Sequence, residues 1–179
     1  VIKLTSFKEN LPERIYRLLR DAERLNAVNN SGMIDSDPEL VFDKVASTVA
    51  LILKVPVAQV TFMDEHRQWL KSSVGFDAQE LPTETSFCSY TLENTNNPTV
   101  ALDATKDERF ADNPFVKDTP NVRFYAGFPI EFQGQAIGTI CAYDMQPHDK
   151  LTTEQSKVLV QLSREVTDIL EKRAQTNTA

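Results

Sequence analysis

The chain has 179 residues, of which 41% are hydrophobic and 25% charged. This is the mix of a soluble globular protein, and the length suits one domain of roughly 100–200 residues with helical arms. Nineteen Lys and Arg against 26 Asp and Glu leave a net charge of −7, which argues against a nucleic-acid partner and against docking on anionic lipid, since both need clustered cations.

The first helical pattern follows Pro12, where Ile15, Leu18, Leu19, Ala22 and Leu25 recur at helical spacing. Asn29-Asn30-Ser31-Gly32 ends it. Asp37 with Pro38 behind it reads as an N-cap for a second amphipathic helix, carried by Val41, Phe42, Val45, Ala46, Val49, Ile52 and Leu53. The period then falls to two. In Val57–Met63, Ala58, Val60 and Phe62 share a face, Asp64-Glu65-His66 turns, and Arg67–Val74 returns to Gly75. Between Phe76 and Asn121, turn formers dominate. Short helices are expected near Ser86–Glu93 and Asp107–Ala111, the second with Asp107 as N-cap, and a short strand at Thr99–Leu102. So long an irregular stretch in a compact domain suggests a binding wall. Two strands follow, Val122–Phe132 and Ala136–Tyr143, joined at Gln133-Gly134. The last element is a helix over 152–173. It opens on a capping box in Thr152-Thr153-Glu154-Gln155, carries a heptad-like seam of Leu159, Leu162, Val166 and Ile169, and leaves a polar tail that frays.

Hairpins bracketed by helices predict an α+β fold. A central antiparallel β-sheet carries the N- and C-terminal helices on one face and the irregular wall on the other. Five glycines, with neither G-x-G-x-x-G nor G-x-x-x-x-G-K-[ST], disfavour a phosphate cradle. Cys88 and Cys141 make no disulfide framework, and two histidines without C-x-x-C or H-x-x-x-H make a zinc site unexpected. No stretch is apolar and long enough to span a bilayer, so a cytoplasmic location is expected. A start at Val1 rather than Met leads us to expect a fragment of a longer protein.

Five strings carry a resemblance. Arg67-Gln68-Trp69-Leu70-Lys71-Ser72 resembles the RQWFKS strand of bacterial GAF domains, and Ser86-Phe87-Cys88-Ser89-Tyr90-Thr91 their SFC-x-[YH]-[TA] segment. Asp107 to Pro114 is similar to D-x-RF-x-x-NP, and Arg123 to Ile130 to RFYAG-x-P-[IL]. Gly134 to Cys141 is similar to G-x-x-[IL]-GTLC. They fall in family order across residues 20–173. The resemblance implies a GAF domain over 20–173, an N-terminal helical arm over 1–19 and a tail over 174–179. It further implies a sensory, non-enzymatic module that binds an unidentified small molecule in a pocket and dimerises through its terminal helices. Such modules are fused or coupled to kinase or diguanylate cyclase outputs.

The site residues expected from the resemblance and from residue chemistry are Trp69, Cys88, Tyr90, Asp103, Arg109, Phe110, Arg123 and Tyr125. The aromatic members would line an apolar pocket or fill core. Arg109 and Arg123 would hold an anionic group, or pair with Asp103 or Asp107 to pin the wall. Cys88 would be a small buried apolar residue, a redox sensor or an attachment point. Ser89 follows it where bilin-binding members usually carry histidine, which weighs against a chromophore. A nucleophilic Cys88 needs a resolving partner for chemistry like that of methionine sulfoxide reductases, and none stands near it in sequence. His66 and His148 read as surface residues, and no N-K…F-x-x-x-D-E cyclic-nucleotide motif occurs. The alternatives to sensing are a ligand-free dimerisation domain and a Cys88-based redox sensor or reductase.

Overall fold

Two alternating runs become the hairpins at the middle of the sheet. In the computed structural model, which describes residues 11–177, the strands are β1 (Val57–Met63), β2 (Arg67–Val74), β3 (Glu80–Pro82), β4 (Thr99–Ala101), β5 (Phe124–Phe132) and β6 (Gln135–Asp144). Their order is β3-β2-β1-β6-β5-β4 and every pairing is antiparallel. The two hairpins meet where β1 pairs with β6, from Val57 opposite Tyr143 to Phe62 opposite Gly138. Gln133 and Gly134 have φ of +51° and +75°, the positive values that match a tight turn to the twist of its strands. β3 was not predicted.

One face is covered by α2 (Ala22–Ser31), α3 (Leu40–Leu53) and α6 (Thr153–Asn177). Ala58, Val60 and Phe62 point there, as predicted, with Phe128, Ile140 and the helix residues Phe42, Val49, Leu159 and Val166. The seam of α6 is therefore half spent inside the chain, with Leu159 and Val166 buried and Leu162 and Ile169 partly so. Thr152 caps α6 through the predicted box, Gln155 N–H donating to Thr152 Oγ1 at 3.1 Å and Thr152 N–H to Gln155 Oε1 at 3.0 Å. The helix runs past Arg173 to Asn177, so four residues of the predicted frayed tail are helical. Residues 178–179, like 1–10 of the predicted arm, lie outside the described residues.

The first helix differs from expectation. It breaks at Asp21 into α1 (Glu13–Arg20) and α2, because Asp21 leaves the helical region with ψ 126° and its carboxylate caps Arg24 N–H at 2.9 Å. The break sends α1 to the opposite face, where Ile15 and Leu19 pack with the wall. Arg24 holds the corner. Its guanidinium is fully buried and donates to the carbonyls of Leu18, Leu19, Met63, Asp64 and Ala136 at 2.7–3.4 Å. Burial pushes this group down to about 10, while Asp64 and Asp21 hold it up; it stays charged at neutral pH.

α3 begins at Leu40, so Asp37 is not its cap. Glu39 holds that position without a capping side chain, because Arg173 and the buried Lys71 take its carboxylate at 2.6 and 2.8 Å. Hydrogen bonds from Arg173, then Lys71, outweigh burial and lower Glu39 from 4.5 to about 2. A depressed carboxylate contributes stability above its unfolded pKa and loses it as pH falls through the folded one. The urea midpoint should therefore drop between pH 4.5 and 2. Glu39→Gln should be less stable at neutral pH and show a shallower drop; an unchanged slope would disprove the coupling.

The wall contains α4 (Cys88–Thr91), inside the predicted 86–93, and β4, inside the predicted 99–102. The predicted helix over 107–111 is absent, and residues 108–112 are turns. Asp107 Oδ1 accepts the N–H of Arg109, an Asx turn, and the helix forms later as α5 (Pro114–Lys117), capped by Asn113.

Candidate functional site

Strand alternation puts a second set of side chains on the wall face. Gln59, Thr61 and Met63 of β1 point there, with Gln68 of β2 opposite Met63. Thr139, Cys141 and Tyr143 of β6 lie beside them, and Tyr125 and Gly127 of β5 next. The segment from Ser86 through α4 covers this surface.

The polar members form one network around Cys88. Thr139 and Tyr125 donate to Cys88 Sγ at 3.2 and 3.3 Å, and the Tyr143 hydroxyl lies 3.6 Å away. Thr61 shares a hydrogen bond with Thr139 at 3.0 Å, and Thr91 with Tyr125 at 2.6 Å. Gly127 makes room for the Tyr125 hydroxyl, because a Cβ there would sit 2.1 Å from it. Cys141 Sγ donates to Gln59 Oε1 at 3.7 Å and lies 3.9 Å from the same Tyr143 hydroxyl. Both thiols are free and buried. Burial raises both. Around Cys88, hydrogen bonds from Cys141, Thr139, Tyr125 and Tyr143 more than offset it and lower the group, while Cys141 stays raised.

Beside this network lies a cavity of about 100 Å³, between the β1–β2–β6 end of the sheet and the wall. Its floor holds Gln59, Gln68 and Tyr143, with Ser86 and Thr85 at the side, and the rest of its lining is apolar. Ser86 accepts the Cys88 N–H at 3.0 Å and gives its own hydrogen to Gln68 Oε1. Gln68 Nε2, fully buried, has no partner.

None of the eight predicted site residues lines this cavity. Cys88, Tyr125 and Phe110 are brought together in the buried layer behind it, where the Phe87 ring lies 4.6 Å from Phe110 and 5.2 Å from Tyr125. Tyr90 packs edge-on against Phe110 at 5.2 Å. Trp69 sits opposite Phe62 and so faces the helices, with Arg67 over its ring. Arg109 pairs with Asp107 at 2.8 Å, donates to the Val100 carbonyl and lies over Phe110. Asp103 caps Thr105, and Arg123 binds the carbonyls of Val116 and Val122. The two arginines thus pin the wall in this structure, Arg109 through a predicted partner and Arg123 through backbone.

Sequence reading did not single out Gln59, Gln68, Ser86 and Tyr143 for the cavity lining, and it left the distance between Cys88 and Cys141 open. Alternation carried a signal for the first. Gln59 and Thr61 are polar residues interleaved with Ala58, Val60 and Phe62 in a strand buried on both faces, and buried polar groups need partners. His66 is exposed, and His148 bonds Asp144 at 2.8 Å and stacks on Phe124. Among the described residues, no acidic, His or Cys cluster could hold a metal ion, and no helix is long and apolar enough to cross a membrane.

A family model described as "GAF domain" matches residues 37–169. A cyclic di-GMP phosphodiesterase of Pseudomonas aeruginosa, PA2567, is 33% identical over 138 residues, which is 76% of this chain and 23% of that protein. The chain thus spans about a quarter of its curated relative's length. The GAF domain of an Acinetobacter phosphoenolpyruvate-protein phosphotransferase superposes with a TM-score of 0.61 at 20% identity, covering 85% of this chain and 95% of that one. The GAF domain of Thermosynechococcus elongatus PixJ, in its blue-light absorbing form, gives 0.61 at 12% identity, covering 88% and 93%. At these identities the two structures speak for the fold.

Proposed function

The chain belongs to the GAF domain family, and from that premise we propose that it is the cytoplasmic sensory domain of a signalling protein. In this reading its role is regulatory rather than catalytic. A small molecule enters between sheet and wall, and α2 and α6 on the opposite face carry the change to an output enzyme. That enzyme would be a kinase or a cyclic-dinucleotide cyclase or phosphodiesterase, the last being what its relative is named. The observation that carries the reading is the cavity floored by Gln59, Gln68 and Tyr143. These residues sit on the strands whose other faces hold α3 and α6, so a shift in β1 or β6 reaches the helices directly. A ligand moves that equilibrium only by binding one packing better.

The working unit in this proposal is a homodimer joined through α3 and α6. Leu51 and Val158 are 77% and 44% exposed, and they flank the hydrogen bond from Gln155 Nε2 to the Ile52 carbonyl that ties the two helices. Native mass spectrometry of protein from its own host should find a dimer with a co-purified small mass. Hydrogen exchange along α6 should change when that mass is stripped, and Leu51→Glu should give a monomer. A ligand-free wild-type monomer would leave neither half of the reading standing, and a ligand-free dimer would favour a scaffold.

A second reading rests on the Tyr143 hydroxyl that both sulfurs approach. A peroxide would oxidise Cys88 to a sulfenic acid and leave as the alcohol or water. The Cys141 thiol would then displace water to form a disulfide. Peroxide-treated protein should lose two hydrogens by intact mass, and Cys141→Ser should gain one oxygen instead. Thiols that stay unmodified in the folded protein would exclude this reading.

A further inference from the structure

The sensing proposal leaves the class of ligand open, and the cavity narrows it. We infer that the cavity takes a small, uncharged, largely apolar molecule with one hydrogen-bond acceptor, received by the side-chain amide of Gln68. The inference rests on the sensing reading and goes a step beyond it.

Three observations carry it. The first is charge. The fourteen lining residues include no Asp, Glu, Lys, Arg or His. The cationic candidates are spent elsewhere, Arg109 on Asp107 and Arg123 on backbone carbonyls. An anion entering this space would lose its hydration and find no counter-charge, which is costly in a low-dielectric site.

The second is size. A volume near 100 Å³ is well below the roughly 300–1,000 Å³ of pockets that hold drug-sized ligands. It is closer to an apolar cavity that accepts benzene at about 150 Å³. There is room for about half a dozen heavy atoms.

The third is the unused donor. The Ser86 hydroxyl accepts the Cys88 N–H, so its own hydrogen must go to an acceptor, and Gln68 Oε1 supplies it. That fixes the orientation of the amide and leaves Nε2 as the orphan. A buried donor without a partner is rare and costs about 1–3 kcal/mol. A carbonyl, ether or similar acceptor on the ligand would relieve that cost once a small shift of the Gln68 side chain brings the fully buried Nε2 to the cavity that Gln68 borders. A purely hydrocarbon ligand would not, and a carboxylate would bring the charge penalty with it.

The test uses three probes of six heavy atoms each: cyclopentanone, its isostere methylenecyclopentane, and cyclopropanecarboxylate. Binding is followed by protein NMR. Both neutral probes are expected to shift resonances of Tyr143, Phe87 and Val122, and the carboxylate to shift none. Cyclopentanone alone should move the Gln68 side-chain amide peak, a readout that needs no mutation. Gln68→Leu should weaken cyclopentanone by about 5- to 10-fold, the worth of one hydrogen bond, and leave methylenecyclopentane unchanged. If both neutral probes bind but the Gln68 amide stays still and the ratio survives Gln68→Leu, the ligand class is wrong and sensing stands. Carboxylate binding as strong as the ketone also overturns the class. If no probe binds, the cavity is closed and the sensing reading fails with the inference.

Discussion

Replacing Arg24 by Met is expected to cost the domain about 4 kcal/mol or more. The substitution keeps most of the side-chain volume and removes five donors. It strands the carbonyls of Leu19, Met63 and Ala136 at a buried site and takes a donor from the part-buried carbonyls of Leu18 and Asp64, the first of which keeps the Asp21 N–H. Each unsatisfied buried acceptor carries a penalty of about 1–3 kcal/mol, and relaxation recovers only part of the sum. Domains of this kind hold about 5–15 kcal/mol in all, so the variant should lose a large share of its urea midpoint. Arg24→Lys should rescue little, because an ammonium presents three donors at one point and cannot match the planar five-donor fork. The effect should be accompanied by loosening of α1, since the guanidinium is what ties the α1–α2 corner to the ends of β1 and β6. A midpoint within about 1 kcal/mol of wild type would show that the corner holds without it.

Gly138→Ala is expected to be nearly as damaging, at about 3 kcal/mol. Gly138 lies opposite Phe62 where the two hairpins join. A Cβ there would stand 2.0 Å from the Thr61 carbonyl oxygen and 3.1 Å from the Phe62 Cα. Both obstacles are backbone, so no rotamer change relieves them, and the strands must separate. The next residue, Thr139, bonds both Thr61 and Cys88. The same substitution should therefore disturb the network behind the cavity. Thermal unfolding would measure the first effect, and the reactivity of the Cys88 thiol in the folded state the second. An alanine variant with wild-type melting and a silent thiol would refute both.

Much of the outline was legible because it depends on short-range pattern. Period two in Val57–Met63 placed a strand, the turn at Gln133-Gly134 joined two more, and the Thr152 box placed the start of α6 to within one residue. The turn at Gln133-Gly134 followed from which residues tolerate positive φ. Local chemistry misled where a side chain had a better partner far away. Glu39 displaced the expected Asp37 cap because Lys71 and Arg173 claim its carboxylate. Asp21 fell inside what the spacing read as one continuous helix, from Ile15 to Leu25.

The sequence by itself determined the family, the α+β class, the two hairpins, the helix-facing set on β1 and the irregular wall. These follow from periodicity, turn residues and five motifs in order, all of which act over a few residues. The tertiary structure alone decided which strands meet, that α1 crosses to the wall, that Cys141 comes close to Cys88, and where the cavity opens. It brought Gln59, Gln68, Ser86 and Tyr143, and none of the eight expected residues, to the lining of that cavity. The physical reason is one of range. A strand's two faces can be read from alternation, but what each face meets depends on pairings between residues as distant as Thr61 and Thr139, which no local pattern encodes.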